Sequence, residues 1–436
     1  MNNKELINNV IKLSIPAILT QIASIAMQYI DSAMVGELGA NASAAIGLVS
    51  ATTWVFWGLL FAVSIGFSVQ VAHQIGANCP QKARLIVKHG LMISMLFSIV
   101  VTVLGLFITK PLPIWLRADV SIHVDASLYF LIFVLTIPFM QLNTICGSFL
   151  QCSGDMVTPS VLNTVMCILD VLFNMYFIPR YQVLGAAIGT GLANVIVGIL
   201  MFYFCCFKNK DLKFIKNEKF EYDAHIVTQA FKIGTPVCCE QVATSLASVV
   251  LTGILAPLGT IAIAAHSFAI TAESLCYMPG YGLESAATTL VGQSYGAKDS
   301  ILAKKYANIS TGLGAFVMGV SGAIMFIICP LVFKMLTPDV QVQTLGIQVL
   351  RIGLIAEPLF GVSIVSTGAL RGVEDTLVPG ILNLFSVWVI RIGLALLLVK
   401  PFGLHGVWIS MAIDLCFRGI ILFIRQQKSP YFKKTA

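Results

Sequence analysis

Apolar residues fall in runs of about 20 or more separated by short polar turns, and twelve such runs can be counted, at 14–38, 50–71, 90–109, 122–150, 160–178, 184–207, 234–258, 261–291, 309–333, 345–370, 378–399 and 404–424. A barrel strand would need only roughly 10 residues of alternating polarity, so the runs predict membrane-spanning helices. The first run is too long for a signal-peptide core and lacks a basic flank with a cleavage-like site, so it reads as a retained first helix behind a short polar tail of ten residues.

Shifted by 220 residues, the chain falls onto itself without a gap: Lys12, Pro16, Gln21, Gly39, Gly76, Pro138, Asp155, Pro159 and Asn163 meet Lys232, Pro236, Gln241, Gly259, Gly296, Pro358, Asp375, Pro379 and Asn383. The expected fold is therefore an all-α integral membrane protein. Its twelve transmembrane helices would form two six-helix bundles related by a pseudo-two-fold along the membrane normal, an architecture recurrent among secondary transporters. The predicted organisation is a first lobe over 1–207, a cytoplasmic linker over 208–225 and a second lobe over 226–436.

Composition agrees: 57% of residues are hydrophobic, 11% are charged and the mean hydropathy is +0.89, which excludes a soluble globule with a polar shell. The net charge of +7 suggests nucleic acid, but the positions of the 27 basic residues give another reading. With the amino terminus inside, only Lys110, Arg117, Arg180, Lys334 and Lys400 fall outside, while Arg351 and Arg391 lie within spans. This is the positive-inside asymmetry, so both termini are expected in the cytoplasm of a cell with this chain in its cytoplasmic (inner) membrane. The linker lysines Lys208, Lys210, Lys213, Lys216 and Lys219 read as a topology anchor. Eleven cysteines without CxxC spacing read as packing residues. There is no Walker-type loop, zinc signature or catalytic constellation, so neither nucleotide-driven transport nor an enzyme is expected, and no cofactor.

An ionisable residue inside a span is costly unless it faces a cavity or a partner, and the candidates are few: Asp31, Asp170, Glu240, Glu273, Glu284, Glu357, Asp414, Arg351 and Arg391. Asp31 continues the stripe Thr20, Ser24 and Met27, with Gln28 beside it, and Asp170 stands between Asn163 and Asn174. Both acids lie seven or eight residues before the outer end of their helix, about 11 Å deep, so they can share one hydrated pocket. At the 220 shift Asp31 meets Leu251 and Asp170 meets Ile390, so the scaffold is duplicated and the acids are not, which favours a functional task over lobe packing. Carboxyls in a low-dielectric cavity take up a proton more readily, and with Asn and Thr oxygens they also suit Na⁺. Pro16, fifteen residues before Asp31, predicts a bend in helix 1.

In the second half, Glu240 beside Gln241 can receive a cationic substrate, and Glu273, Tyr277 and Glu284 form a stripe interrupted by Pro279, with Arg351 or Arg391 as alternative partners for these acids. Glu357 beside Pro358 is a weaker candidate, and Asp414 suits a local ion pair with Arg418.

Several stretches together resemble the multidrug and toxic compound extrusion (MATE) family: KLSIPAILTQ, IDSAMVGELGANASAAIGL, QIGANCPQKAR, ILDVLFNMYFI, LGAAIGTGLAN, MPGYGLESAATTLVGQSYGAK and LRGVEDTLVP. The resemblance spans nearly the whole chain. It implies two six-helix bundles in a V and export of small organic cations in exchange for H⁺ or Na⁺. In the family's DinF-like branch the helix 1 and helix 5 acids match Asp31 and Asp170, the helix 1 proline matches Pro16, and a helix 6 threonine near the pocket matches Thr190. The Asn that some relatives carry one turn before the helix 5 acid is Met166 here. Around Phe360 and Gly361, where the NorM-like branch carries an acid, there is none, and Glu240 lies one turn early for that branch. A monomer handling organic cations and bounded by lipid, with no nucleic-acid partner, is the expected state. A lipid-linked sugar flippase of the same superfamily is the alternative, for which a cationic cavity would be the mark.

Overall fold

Uninterrupted apolar sequence with few helix breakers folds here into very long helices. The computed structural model describes residues 3–36, 38–116, 118–216, 218 and 220–433; Arg117 and Lys219 of the charge pattern lie outside the described residues. Every regular element among the described residues is helical: α1 Asn3–Gly36, α2 Ala40–Gly76, α3 Pro80–Thr109, α4 Leu112–Trp115, α5 His123–Cys152, α6 Val157–Tyr203, α7 Ala224–Leu255, α8 Thr260–Gly296, α9 Ser300–Leu336, α10 Val340–Leu354, α11 Glu357–Gly372, α12 Leu377–Phe385, α13 Gly393–Phe402 and α14 Leu404–Lys428.

Ten helical runs among the described residues are long and apolar enough to cross a membrane, and α10 with α11 forms a further span bent by 54°. The run Val157–Lys208 holds 52 residues, about 78 Å of helix against a hydrocarbon core of about 30 Å, and it breaks at Gln182 (φ 52°, ψ −126°). It therefore makes two crossings, which brings the fold to twelve. Two expectations about breaks need correction. The span 345–370 is not continuous, because Pro358 has no N–H for the Leu354 carbonyl and the chain turns just before it. Conversely, α8 stays helical through Pro279.

The repeat also needs correction. A Cβ on Gly185 would stand 2.3 Å from the Phe177 carbonyl oxygen, and one on Gly406 would stand 2.2 Å from that of Leu398, so these contacts are equivalent at a shift of 221, not 220. Gln182 has the backbone conformation of Gly403 (φ 55°, ψ −132°), again 221 residues on. The extra residue is taken up by the π-helical stretch Ser386–Ile392 between α12 and α13, since each π turn holds one residue more than an α turn. The equivalent of Asp170 lies within that bulge, at Ile390 or Arg391, and the acid is still unmatched in the second half.

The helices divide into two compact units, Ala23–Cys238 and Met1–Ile22 with Cys239–Ala436. The division falls inside α1 and α7, away from the 208–225 connection. In the C-terminal unit, Leu6 and Val10 are fully buried against Leu283, Ala287 and Val291, and the Asn9 amide donates to the Tyr306 hydroxyl at 3.1 Å. Residues 3–10 are thus packed helix, where a polar tail was expected; Met1 and Asn2 lie outside the described residues. In the N-terminal unit, Val237 packs on Ala62, Ile65 and Val69, and Gly66 lets the Ala230 carbonyl approach within 2.4 Å of where its Cβ would stand.

The connection after α6 is docked on α3 rather than free. Arg84 pairs with Glu218 and donates to the Asp211 carbonyl at 3.1 Å, and Leu212 is fully buried. Nδ1 of His89 donates to the Leu85 carbonyl (2.9 Å) while Nε2 accepts from the Asp223 N–H (2.9 Å), which fixes a neutral tautomer. Hydrogen bonding from Arg84 holds the Glu218 carboxyl below its ordinary range. A depressed folded value contributes stability above the unfolded value and loses it as pH falls through the folded one. Acidification through and below the ordinary carboxylate range is therefore expected to raise amide exchange over 208–223, and Glu218→Gln to raise it already at neutral pH; unchanged exchange in that variant would disprove the tether.

Candidate functional site

The acids of the N-terminal unit are assembled from two stretches of helix brought back on themselves. Asp170 and Asn174 stand one turn apart on the first half of α6, and after the break at Gln182 the second half returns Gly185, Gly189 and Thr190 to the same place. Asp31 comes from α1. Asp170 is fully buried and Asn174 nearly so, while Asp31 is half-buried. The Asn174 amide bridges the carboxyls: Nδ2 donates to Asp31 Oδ1 at 3.0 Å and to Asp170 Oδ2 at 3.4 Å. The two carboxyls lie beside each other, and the Thr190 hydroxyl lies beside that of Asp170. Asp170 Oδ1 and Asn174 Oδ1 are buried without a hydrogen-bond partner.

Close approach of the α6 halves depends on Gly189. A Cβ there would stand 2.1 Å from Asn174 Oδ1 and 3.1 Å from its backbone nitrogen. Gly189→Ala is expected to push the bridging amide off the carboxyls at a cost of about 1–3 kcal/mol, as overpacking does. Thermal unfolding with and without added cation checks this: the variant should melt lower and lose cation-induced stabilisation, and wild-type behaviour in both would refute the bridging role.

Other expected members fall elsewhere. Asn163 accepts from the Asn143 amide at 3.3 Å, and that amide also contacts Met166 Sδ at 3.7 Å, so Asn163 is engaged with α5. Gln28 is exposed. Pro16 lies inside α1, where the Thr20 hydroxyl donates to its carbonyl at 3.0 Å. Tyr129 of α5 and Cys167 of α6 lie within electrostatic range of both acids. A tyrosine on a different helix, in no motif, carried no sequence signal of this.

In the C-terminal unit Glu240, Glu284 and Asp414 are already partnered. Arg371, at the end of α11, pairs with Glu284 of α8 at 2.6 Å and with Glu240 of α7 at 3.4 Å, and the Asn383 amide of α12 donates to Glu240 at 2.6 Å. Gly368 makes room, since a Cβ there would meet Glu284 Cγ at 2.5 Å. For Glu273 and Glu284 the alternative to cavity lining was pairing with Arg351 or Arg391; Arg391 acts on Glu273, but Glu284 is held by Arg371. Arg351 stacks on Phe326 (5.0 Å), and Arg391 pairs with Asp414 at 2.7 Å. Asp414 also holds Arg418 at 2.5 Å, the local pair expected, and the Ser386 hydroxyl. Gln241 is half-buried, Glu273 is buried, and Tyr277 packs its ring on Tyr281 and Phe360.

Chemically, the N-terminal cluster offers two carboxyls, an amide oxygen and a hydroxyl, all hard oxygen donors. No group of three His, Cys, Asp or Glu suited to a metal occurs among the described residues. The donor set fits a small monovalent cation or a proton better than a divalent or soft metal.

A twelve-helix membrane fold with an acid pair inside its spans is that of a secondary transporter. The MatE family model matches residues 16–176 and 236–397, and the chain belongs to that family, whose members are transporters and not enzymes. The chain is 27% identical to the probable multidrug resistance protein NorM of Thermotoga maritima over 434 residues, covering 96% of this chain and 91% of that protein. It is 25% identical to the multidrug resistance protein NorM of Photobacterium profundum, covering 95% and 93%. Among solved structures, an outward-facing multidrug resistance MATE family transporter of the MOP superfamily superposes with a TM-score of 0.92 at 21% identity, covering 97% and 95%. A MOP superfamily transporter from Pyrococcus furiosus, whose binding pocket of reverse polarity suggests a different function, superposes with a TM-score of 0.91 at 21% identity, covering 97% and 95%. These likenesses establish the fold; the pocket's own charge must decide the cargo.

Proposed function

We propose that this chain is a cation-coupled antiporter of the cytoplasmic membrane that exports organic cations, including multiple drugs, by alternating access, with both termini in the cytoplasm and the monomer as the working unit. The supporting observation is the acid pair Asp31 and Asp170 joined through Asn174, with Asp170 fully buried in a span. A carboxyl held there without full compensation by a positive group gains by taking up a cation, and its loading and unloading can drive the conformational cycle. Thr190 and the free Asn174 oxygen complete the donor set for H⁺ or Na⁺. Coupling in the N-terminal half corresponds to the DinF-like arrangement. The flippase alternative is less favoured, because Arg371, Arg391 and Arg418 are each engaged with a carboxylate and Arg351 lies over the Phe326 ring.

The test is uptake of a fluorescent organic cation into everted vesicles, energised separately by a proton gradient and by a sodium gradient. Accumulation driven by one of them, and dissipated by collapsing it, is the expected result; no response to either gradient would refute the reading.

A further inference from the structure

A second set of unsatisfied polar groups lies in the C-terminal unit, at the bend between α10 and α11. Glu357, the first residue of α11, is fully buried and neither of its carboxyl oxygens has a hydrogen-bond partner. Glu273 of α8 is 4% exposed with Oε1 unpartnered, and Trp408 Nε1 and His266 Nδ1 are likewise buried and unpartnered. These groups are contiguous. Glu273 Oε1 and the Trp408 ring both press on Gly353, at 2.9 and 2.7 Å from where its Cβ would stand, and Glu357 begins one turn later. The His266 and Trp408 rings meet edge to face at 5.8 Å. On the far side Gly322 of α9 packs on Glu357, whose Cβ lies 3.0 Å from the position of the missing Gly322 Cβ.

The surrounding charges single out Glu357. The titratable groups that face it are Glu273 and Cys276, both of α8; α9 brings Gly322, and α14 brings Trp408 to the preceding turn. Arg391 of the bulge acts on Glu273 and His266, and is itself tied to Asp414. Among the described residues no cation is paired with Glu357, and an ionised carboxylate in that position carries an uncompensated desolvation penalty of several kcal/mol. Buried polar groups without partners call for an occupant. A hard metal ion would need about six oxygens, whereas this carboxyl has carbon of Gly322 and a thiol beside it and an indole at the preceding turn. A proton needs one oxygen.

We propose that Glu357, with Glu273 as its neighbour across the bend, is a second ion-coupling site of this chain, specific for H⁺, and that its loading sets the bend between α10 and α11. An O–H bond forms on a Glu357 oxygen with a proton from water and breaks when that proton passes to Glu273 or back to water; no electron is exchanged. Ionisation brings a second negative charge near Glu273 at the point where Pro358 has already removed a backbone tie, so the bend is the compliant element. The site stands independently of the Asp31 and Asp170 reading.

Infrared pH titration of the purified full chain, in H₂O and D₂O, tests it. A protonated, deuterium-sensitive carboxyl band should persist in the Asp31→Asn/Asp170→Asn double variant and vanish when Glu357→Gln is added, and Glu273→Gln should shift it. Disappearance of every such band in the double variant alone would overturn the proposal while leaving the first site intact, and so would a band unchanged by Glu357→Gln. Should Glu357→Gln not fold, the double variant decides by itself.

Discussion

Asp31→Asn and Asp170→Asn are each expected to reduce gradient-driven export by roughly 5- to 150-fold, the range that follows when a coupling free energy of about 1–3 kcal/mol between cation and cargo is removed. The protein still inserts and folds, because an amide oxygen at either position can still accept from Asn174 Nδ2, so the bridge across the pocket survives. What disappears is the negative charge that makes cation uptake favourable. Asp170→Asn has the larger effect, since Asp170 is fully buried and sits beside Thr190, whereas Asp31 is half-buried. The measurement is initial export rate in vesicles at matched protein amount, alongside thermal unfolding of the purified variants. Unaltered export by Asp170→Asn would remove the acid pair from the mechanism, while lost export together with a collapsed melting profile would assign the pair to structure instead.

The twelve spans and the acid pair were legible in the sequence for one physical reason: hydrocarbon tolerates apolar helix and almost nothing else, so a long apolar run is a span and a carboxylate within it stands out. Asn174 was legible through its one-turn spacing from Asp170. What stayed hidden were partnerships between helices distant in sequence. Arg371 reads as an ordinary basic flank at a cytoplasmic helix end, yet it reaches Glu240, 131 residues away, and Glu284, 87 residues away. Asn383 was noted only as a repeat landmark, although its amide caps Glu240. The one-residue change of register went unseen because a π-bulge has no distinctive composition and every landmark pair, from Lys12 and Lys232 to Asn163 and Asn383, lies before it. Gln182 was silent too, since a left-handed φ is expected of glycine, as at Gly403, and not of glutamine.

That bulge leads to the largest stability effect. One extra residue rotates the following helix by about 100°, which re-aims Arg391 at Asp414 on α14. Asp414 is fully buried, and it answers Arg391, Arg418 and the Ser386 hydroxyl at once. Asp414→Ala leaves two guanidinium groups, only 19% and 13% exposed, without a counter-charge, so a loss of about 3–5 kcal/mol is expected. Adding Arg391→Met and Arg418→Met to it should recover most of that loss, because apolar side chains of similar volume restore packing without the desolvation penalty. The contrast with Asp170 is the diagnostic: the same residue type in a span is expected to be costly to remove from the second half because it is neutralised, and on the proposed function to be needed for transport in the first half because it is not. Thermal unfolding of the detergent-solubilised protein measures both variants, and an Asp414→Ala midpoint equal to wild type would show that the cluster carries no such load.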